Sequence, residues 1–585
     1  MVQRLAVVVL VTITSLVGCK KDKPDANAPG GAAAGQQGAA QGAPSAAPAG
    51  AKKAPEGCNS DLSQKIEVDF AFTEKCSPYT VNGEFYVDGW TLTVEPGVEV
   101  RFGEAGALYV AYNAPGRVLV KGSPEKPVKF TSATRKEAGA WKTIHLYERA
   151  DGSSFENTVI EFGGASDTAA LDVQSGELTL KGVKFASVKG QALKLDTDKP
   201  AKELSGLDLS EAGGDPEGLV TLPVGSAGAL GANNVFPANA IITLTGNANR
   251  DVKLTPQGCP YRVTGELYVE APEGKSAVLT VAPGVTVQMG ENAALYVGYS
   301  HPGALKVLGT KELPVVFTRY GDDPKATPWK GLVFYGNARA PEIDFGVFEY
   351  VGLPNAEAIK FTEPRGLGKI TNSTIRHCAG TALKVESAKA RFEAFDHNVF
   401  EDVTGAALET PLRFAHQLGT ANTFGTSAVV LLGDTQEDTT LTAIDGPYWV
   451  QGELYVNGPQ GKTASLTVEP GAKLRFLENA ALYIGYSGAG KLIAKGTADK
   501  GITLDAVQGQ WKGVHAYPAG TVELENVTLS GVADDSNPLL LDADSKGAIK
   551  GLTLKGTRLG IKSCGKATVS GVKADKGVKA EEKCE

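Results

Sequence analysis

From about Tyr79 onward the chain is written in segments of three to six residues in which apolar and polar side chains alternate, as in "GEFYV", "LTVEPGVEVRF" and "GALYV". A period of two predicts strands with one face buried. Many segments are flanked by Gly, Asn or Pro-Gly, which predicts tight turns, since proline presets φ and glycine accepts the positive φ of a type II turn. No stretch of the body keeps the 3.6-residue period of an amphipathic helix, so an all-β fold is expected.

The pattern is written three times. Tyr-x-Val-x-Gly-Glu-[Phe/Leu]-Tyr-Val begins at Tyr79, Tyr261 and Tyr448, and Trp-Lys follows at Trp141, Trp329 and Trp511. The turn prolines Pro96, Pro283 and Pro470 are 187 residues apart in each case. A shorter period runs inside the long one. "GTALKV" at Gly380 returns as "GAALET" at Gly405, "HNVF" at His397 as "ANTF" at Ala421, and "AALDV" at Ala169 as "QALKL" at Gln191.

A period in the low twenties made of short strands and turns predicts the coils of a parallel β-solenoid, in which each coil buries its apolar side chains only against its neighbours. The asparagines of "NSTI", "HNVF" and "ANTF" suit corners where amides bond from coil to coil. With about 23 residues and 4.8 Å per coil, some twenty coils would make a rod of about 100 Å. The segments "LTVEPGVEVRF", "GTKELPVVFT" and "WKGLVF" resemble those of right-handed parallel β-helix proteins of the pectate-lyase-like superfamily and of bacterial surface proteins. The resemblance covers most of Tyr79 to Val572 and implies the fold rather than an activity.

The ends read differently. Arg4, the apolar run Leu5 to Val17 and then "LVGC" form a processing signal too short to span a membrane. Gly18-Cys19 resembles the lipobox of bacterial lipoproteins, which implies acylation of Cys19 and firm attachment to a membrane. From Lys20 to Gly57 the chain is mostly Ala, Gly, Pro, Gln and Lys with no aromatic residue, a composition expected of a disordered linker. The expected organisation is a signal peptide at 1–18, the lipidated cysteine and linker at 19–57, a cap and first repeat at 58–258, a second repeat at 259–445, and a third repeat with C-terminal cap at 446–585. A net charge of −8 without a basic stripe argues against nucleic-acid binding.

Of the seven cysteines, six remain for an envelope compartment where disulfides persist. Cys58 with Cys76 and Cys564 with Cys584 are the expected pairs, each close in sequence and each at an end of the repeated region, where a solenoid needs a cap. Cys259 and Cys378 are left to pair or to stay free.

Candidate chemistry is sparse. β-Helix enzymes that cut acidic polysaccharides use Asp clusters, with or without calcium. Here the Asp-Asp pairs Asp322-Asp323 and Asp534-Asp535 stand in turn-like surroundings, and Asp196 with Asp198 and Asp542 with Asp544 read as Asx turns. His145 and His515 share a repeat position that is Val333 in the middle copy. Alternation places His377 and Cys378 on opposite faces, so no catalytic, metal or cofactor set is assigned.

The aromatic positions say more. In "GELYV" and "ALYVGY" alternation turns Leu and Val inward and Tyr outward. Tyr86 with Tyr109, Tyr268 with Tyr296 and Tyr455 with Tyr483 should then stack on the outer face, with Glu84, Glu266 and Glu453 nearby and Tyr147, Tyr335 and Tyr517 also exposed. Such rings can stack on sugars, or can simply stabilise neighbouring coils. The expectation is a monomeric, lipid-anchored envelope protein, at the surface or periplasmic side of an outer membrane, that binds glycans or proteins and lacks enzymatic activity. A polysaccharide lyase or glycoside hydrolase with an unfamiliar site, and a purely structural spacer, are the alternatives.

Overall fold

The computed structural model describes Cys58, residues 61–62 and residues 64–584 except 322–326, 365 and 387–390. Cys19, the 19–57 linker and Asp322-Asp323 lie outside the described residues. The body is a parallel β-solenoid of about 19 turns. Its strands stack into ladders of 13 and 12 members with shorter sheets beside them, and the pairings are parallel throughout.

Alternation decides which side chains enter the core. In Glu84–Val87 and Ala107–Val110, Phe85, Val87, Leu108 and Val110 are buried while Tyr86 and Tyr109 are turned out. Apolar residues at one register position pile up along the axis. Phe317 lies on Phe348 at 5.2 Å, Phe334 on Phe361 at 4.7 Å, and Phe400 on Phe424 at 5.4 Å. Each such ring removes its apolar surface from water at both faces, contributing about 1.5–3 kcal/mol per side chain. Trp141, Trp329 and Trp511 are fully buried. Their indole N–H groups donate to the carbonyls of Glu161, Glu349 and Ser530 at 2.8, 3.1 and 2.8 Å. Trp141 stacks on Phe102 and Trp511 on Phe476.

The corner asparagines differ in detail from the expected amide stack. Asn398 and Asn422 are buried, and each side-chain oxygen accepts a backbone N–H one coil away, from Ser373 at 3.1 Å and from Asn398 at 2.9 Å. Their amide N–H groups donate to the carbonyls of Ile370 and Phe395. Asn372, at φ 51°, sits outside this ladder and donates to Asp344 instead.

Both expected end disulfides are formed, Cys58 to Cys76 and Cys564 to Cys584. Toward the C-terminus the core thins, since Lys566–Ser570 has no buried residue, and the last strand, Glu581–Lys583, pairs with Ile561–Ser563. Cys259 and Cys378 remain free thiols.

The coil is not a fixed 23 residues. It shortens to 19 between Ile242 and Tyr261 and lengthens to 37 between Tyr296 and Val333, because surface turns absorb the difference. The long repeat is therefore out of step with the coil. From Glu84–Val87 the 13-stranded sheet passes through Ala107–Val110, Ile144–Leu146, Leu171–Val173, Leu193–Leu195, Val220–Pro223 and Ile242–Thr245 to Tyr261–Val263, seven steps on. The next strand in the chain, Glu266–Val269, is the repeat copy of Glu84–Val87, yet it opens the 12-stranded sheet on the following face. From there another seven steps lead to Tyr448–Val450, and the third copy, Glu453–Val456, moves on again to the 7-stranded sheet. One repeat thus equals seven coils plus one face of three. The 13- and 12-stranded sheets run across the repeat boundaries near residues 258 and 445 without a break.

Candidate functional site

The outward tyrosines gather into three clusters, one per repeat. Tyr86 and Tyr109 are register partners with ring centroids 5.3 Å apart, and the pairs Tyr268–Tyr296 and Tyr455–Tyr483 stand at 5.1 and 5.2 Å. These six rings are half-buried. Tyr147, Tyr335 and Tyr517 join them from the next coil at 6.1, 5.9 and 5.8 Å.

The most exposed ring of each cluster was not anticipated. Tyr112, Tyr299 and Tyr486 are 51, 54 and 59 % exposed. Strict alternation after Tyr109 would turn Tyr112 inward. A left-handed residue between them, Ala111 at φ 63°, reverses the phase and swings the ring out. Gly298 and Gly485 hold the same place at φ 67° and 77°. There a Cβ would lie 2.2 Å from the amide nitrogen of Ala338 and 2.3 Å from that of Gly520, so the close approach of the next coil demands glycine. The loop that follows is pinned in every copy from the coil below. Asp88 accepts the N–H of Asn113, Glu270 that of Ser300, and Asn457 that of Ser487.

Each exposed ring rests on two others at repeated distances. Tyr112 lies 5.8 Å from Tyr86 and 5.0 Å from Tyr147; Tyr299 lies 5.7 Å from Tyr268 and 4.9 Å from Tyr335; Tyr486 lies 5.6 Å from Tyr455 and 4.9 Å from Tyr517. A carboxylate closes the cluster. Tyr86 donates to Glu84, Tyr268 and Tyr296 both donate to Glu266, and Tyr455 and Tyr483 both donate to Glu453. Partial burial and the hydrogen bond to Glu266 push the Tyr268 phenol up to about 12. Glu266 is held below the usual carboxylate range, first by the Tyr268 hydroxyl and then by Lys330, whose ammonium lies 3.2 Å away. Lys142 stands 3.5 Å from Glu84, and Lys512 has the same repeat position in the third copy. The carboxylates thus already serve the cluster's own hydroxyls. With about four acceptor positions each, they retain capacity for a ligand. Beside the first cluster an open depression of about 500 Å³ is lined by Gln64, Lys65, Glu84, Tyr86 and Lys142.

The other candidates are dispersed. Asp534 pairs with Arg558 at 3.0 Å. The Asp542 carboxylate lies 2.9 Å from His515 Nε2, and the backbone carbonyl of Asp198 accepts from Arg250. His145 and His515 stack on Tyr147 and Tyr517 at 4.1 and 4.0 Å, at the inner edge of the clusters. His377 reaches Asp402 at 2.8 Å on the outside while Cys378 is buried, its thiol pushed up to about 12 by burial. Burial raises the Cys259 thiol to about 12 as well, so neither is a thiolate nucleophile near neutral pH. Among the described residues no three His, Cys, Asp or Glu side chains are grouped to hold a metal ion.

A family model described as a pectate-lyase like beta helix domain matches residues 66–192 and again 246–351, segments that carry the first and second clusters. No curated protein and no solved structure matches the chain. The fold is a parallel β-solenoid, parts of which are similar to the pectate-lyase-like β-helix family, and the shared feature of its repeats is the tyrosine cluster.

Proposed function

We propose that this chain is a non-enzymatic, lipid-anchored protein of the bacterial envelope that binds glycans through its tyrosine clusters. The observation that supports this reading is the recurrence of four tyrosines and a glutamate, in three copies, with ring separations that agree within a few tenths of an ångström. A coil needs inward-facing apolar residues to stack, but it does not need an exposed ring such as Tyr112 outside them. The face of an aromatic ring carries negative charge that attracts the C–H edges of a sugar, and a neighbouring carboxylate accepts its hydroxyls. The stretch up to Cys19 supports attachment to a membrane, with the 19–57 segment as tether and the outer membrane as the expected site.

Two experiments test the reading. The purified protein is incubated with neutral and acidic polysaccharides, with and without calcium, and both retention and new reducing or unsaturated ends are measured. Retention without products is expected; products would establish a lyase or hydrolase, and Asp534 and Asp535 would be replaced first. Separately, Cys19→Ser is expected to move the protein from the membrane to the soluble fraction, and a variant that loses acylation yet stays on the membrane would overturn the anchor.

A further inference from the structure

The three clusters do not form one surface. Tyr86 and Tyr109 belong to the 13-stranded sheet, Tyr268 and Tyr296 to the 12-stranded sheet, and Tyr455 and Tyr483 to the 7-stranded sheet. Where two of these sheets coexist they are successive faces of the same coil, since Tyr261–Val263 leads directly into Glu266–Val269 and Tyr448–Val450 into Glu453–Val456. Each cluster is therefore displaced from the last by seven coils, about 35 Å along the axis, and by one face around it. A sugar chain lying straight along one face meets one cluster and then leaves the others on different sides.

Each cluster is also complete in itself. It has its own exposed ring, its own supporting rings and its own carboxylate, and no residue is shared between copies. The lysine charge beside the cluster is already offset by its carboxylate, Lys142 lying 3.5 Å from Glu84 and Lys330 3.2 Å from Glu266, which favours a neutral chain over an acidic one. Resting on the glycan-binding reading above, we infer that the protein is a trivalent cross-linker of neutral glycan chains, holding a separate chain on each side of the rod.

Linked sites on one rigid body raise apparent affinity for a polymer network without any new contact, whereas each site keeps its own affinity for a short sugar. The test uses the full-length protein with cellohexaose and chitohexaose as short probes, and hydroxyethyl cellulose and glycol chitin as long ones. Calorimetric titration should give three equivalent sites per chain for the short sugar that binds. Tyr112→Ala should leave two sites, and Tyr112→Ala with Tyr299→Ala one, at unchanged affinity; circular dichroism checks that these exposed positions leave the fold intact. Light scattering with the matching polymer should show growing particles near equivalence for the wild type and none for the one-site variant, which still binds. A stoichiometry of one, or discrete complexes with the polymer, overturns the cross-linker while leaving glycan binding in place. Failure of the wild type to bind either hexasaccharide removes the glycan reading and the cross-linker with it.

Discussion

Tyr299 packs against Tyr335 with ring centroids 4.9 Å apart, and the corresponding pair Tyr486 and Tyr517, one repeat further on, stands at the same 4.9 Å. The outer ring of each pair is more than half exposed, so its burial contributes little to stability. Tyr299→Ala is expected to change unfolding free energy by about 0.5 kcal/mol or less, within the range of ordinary surface substitutions. A double-mutant cycle of Tyr299 with Tyr335 in chemical denaturation should give a coupling of about 0.5 kcal/mol, the low end for aromatic pairs. Zero coupling would mean the two rings are merely adjacent.

The phenol–carboxylate bonds predict an alkaline response. Tyr268 has a folded-state value raised to about 12, and its ordinary value is near 10. Its bond to Glu266 is therefore intact below pH 10 and is lost as pH rises through the folded value. Titration at 295 nm should show a group of tyrosines ionising above the ordinary range. Glu266→Gln should bring Tyr268 and Tyr296 down toward the usual value, as it removes both the acceptor charge and its repulsion of phenolate. No movement on that substitution would contradict the role given to Glu266.

Each buried tryptophan serves one stretch of the rod. Trp511 is fully buried, stacks on Phe476 at 3.8 Å and donates to the Ser530 carbonyl at 2.8 Å. Trp511→Ala should cost about 3–5 kcal/mol locally. Since coils touch only their neighbours, the loss should be confined. Hydrogen exchange is expected to quicken around Lys473–Phe476 and Val527–Ser530 while Tyr79–Val81 and Glu99–Phe102 keep their protection.

Asn398 accepts one buried backbone N–H and donates to one buried carbonyl. Replacing it with Ala strands both groups, at a cost of about 1–3 kcal/mol for each. Asn372→Ala, at a neighbouring position outside the ladder, should be far milder. Thermal unfolding of the two variants side by side checks the ranking, and equal losses would overturn the ladder's importance.

The thiols give a direct chemical check on the ends. Peptide mapping without reductant should recover Cys58 with Cys76 and Cys564 with Cys584, while Cys378, buried in the core, should react with a maleimide only after unfolding. A link between Cys58 and Cys584 would overturn the closed ends.

The strand pattern was legible because a solenoid repeats its own local rule: inward Leu, Val and Phe at every second position, glycine and asparagine at the corners. The pairs Tyr86–Tyr109, Tyr268–Tyr296 and Tyr455–Tyr483 followed from the same rule. Tyr112, Tyr299 and Tyr486 did not, because a single left-handed residue changes the phase, and Ala111 does not announce a positive φ as Gly298 and Gly485 do. Nor did the displacement of the clusters between faces show in the sequence. Turn lengths vary without disturbing the ladder, so counting residues at about 23 per coil could not reveal that a repeat ends one face beyond a whole number of coils.

That mismatch works like a vernier, two scales whose divisions fall slightly out of register so that each mark lands at a new place. A repeat of a whole number of coils would stack every copy on one side and leave the other two bare however many copies were added. With one face left over, three copies supply every side of a three-sided rod once, and a fourth would begin the round again.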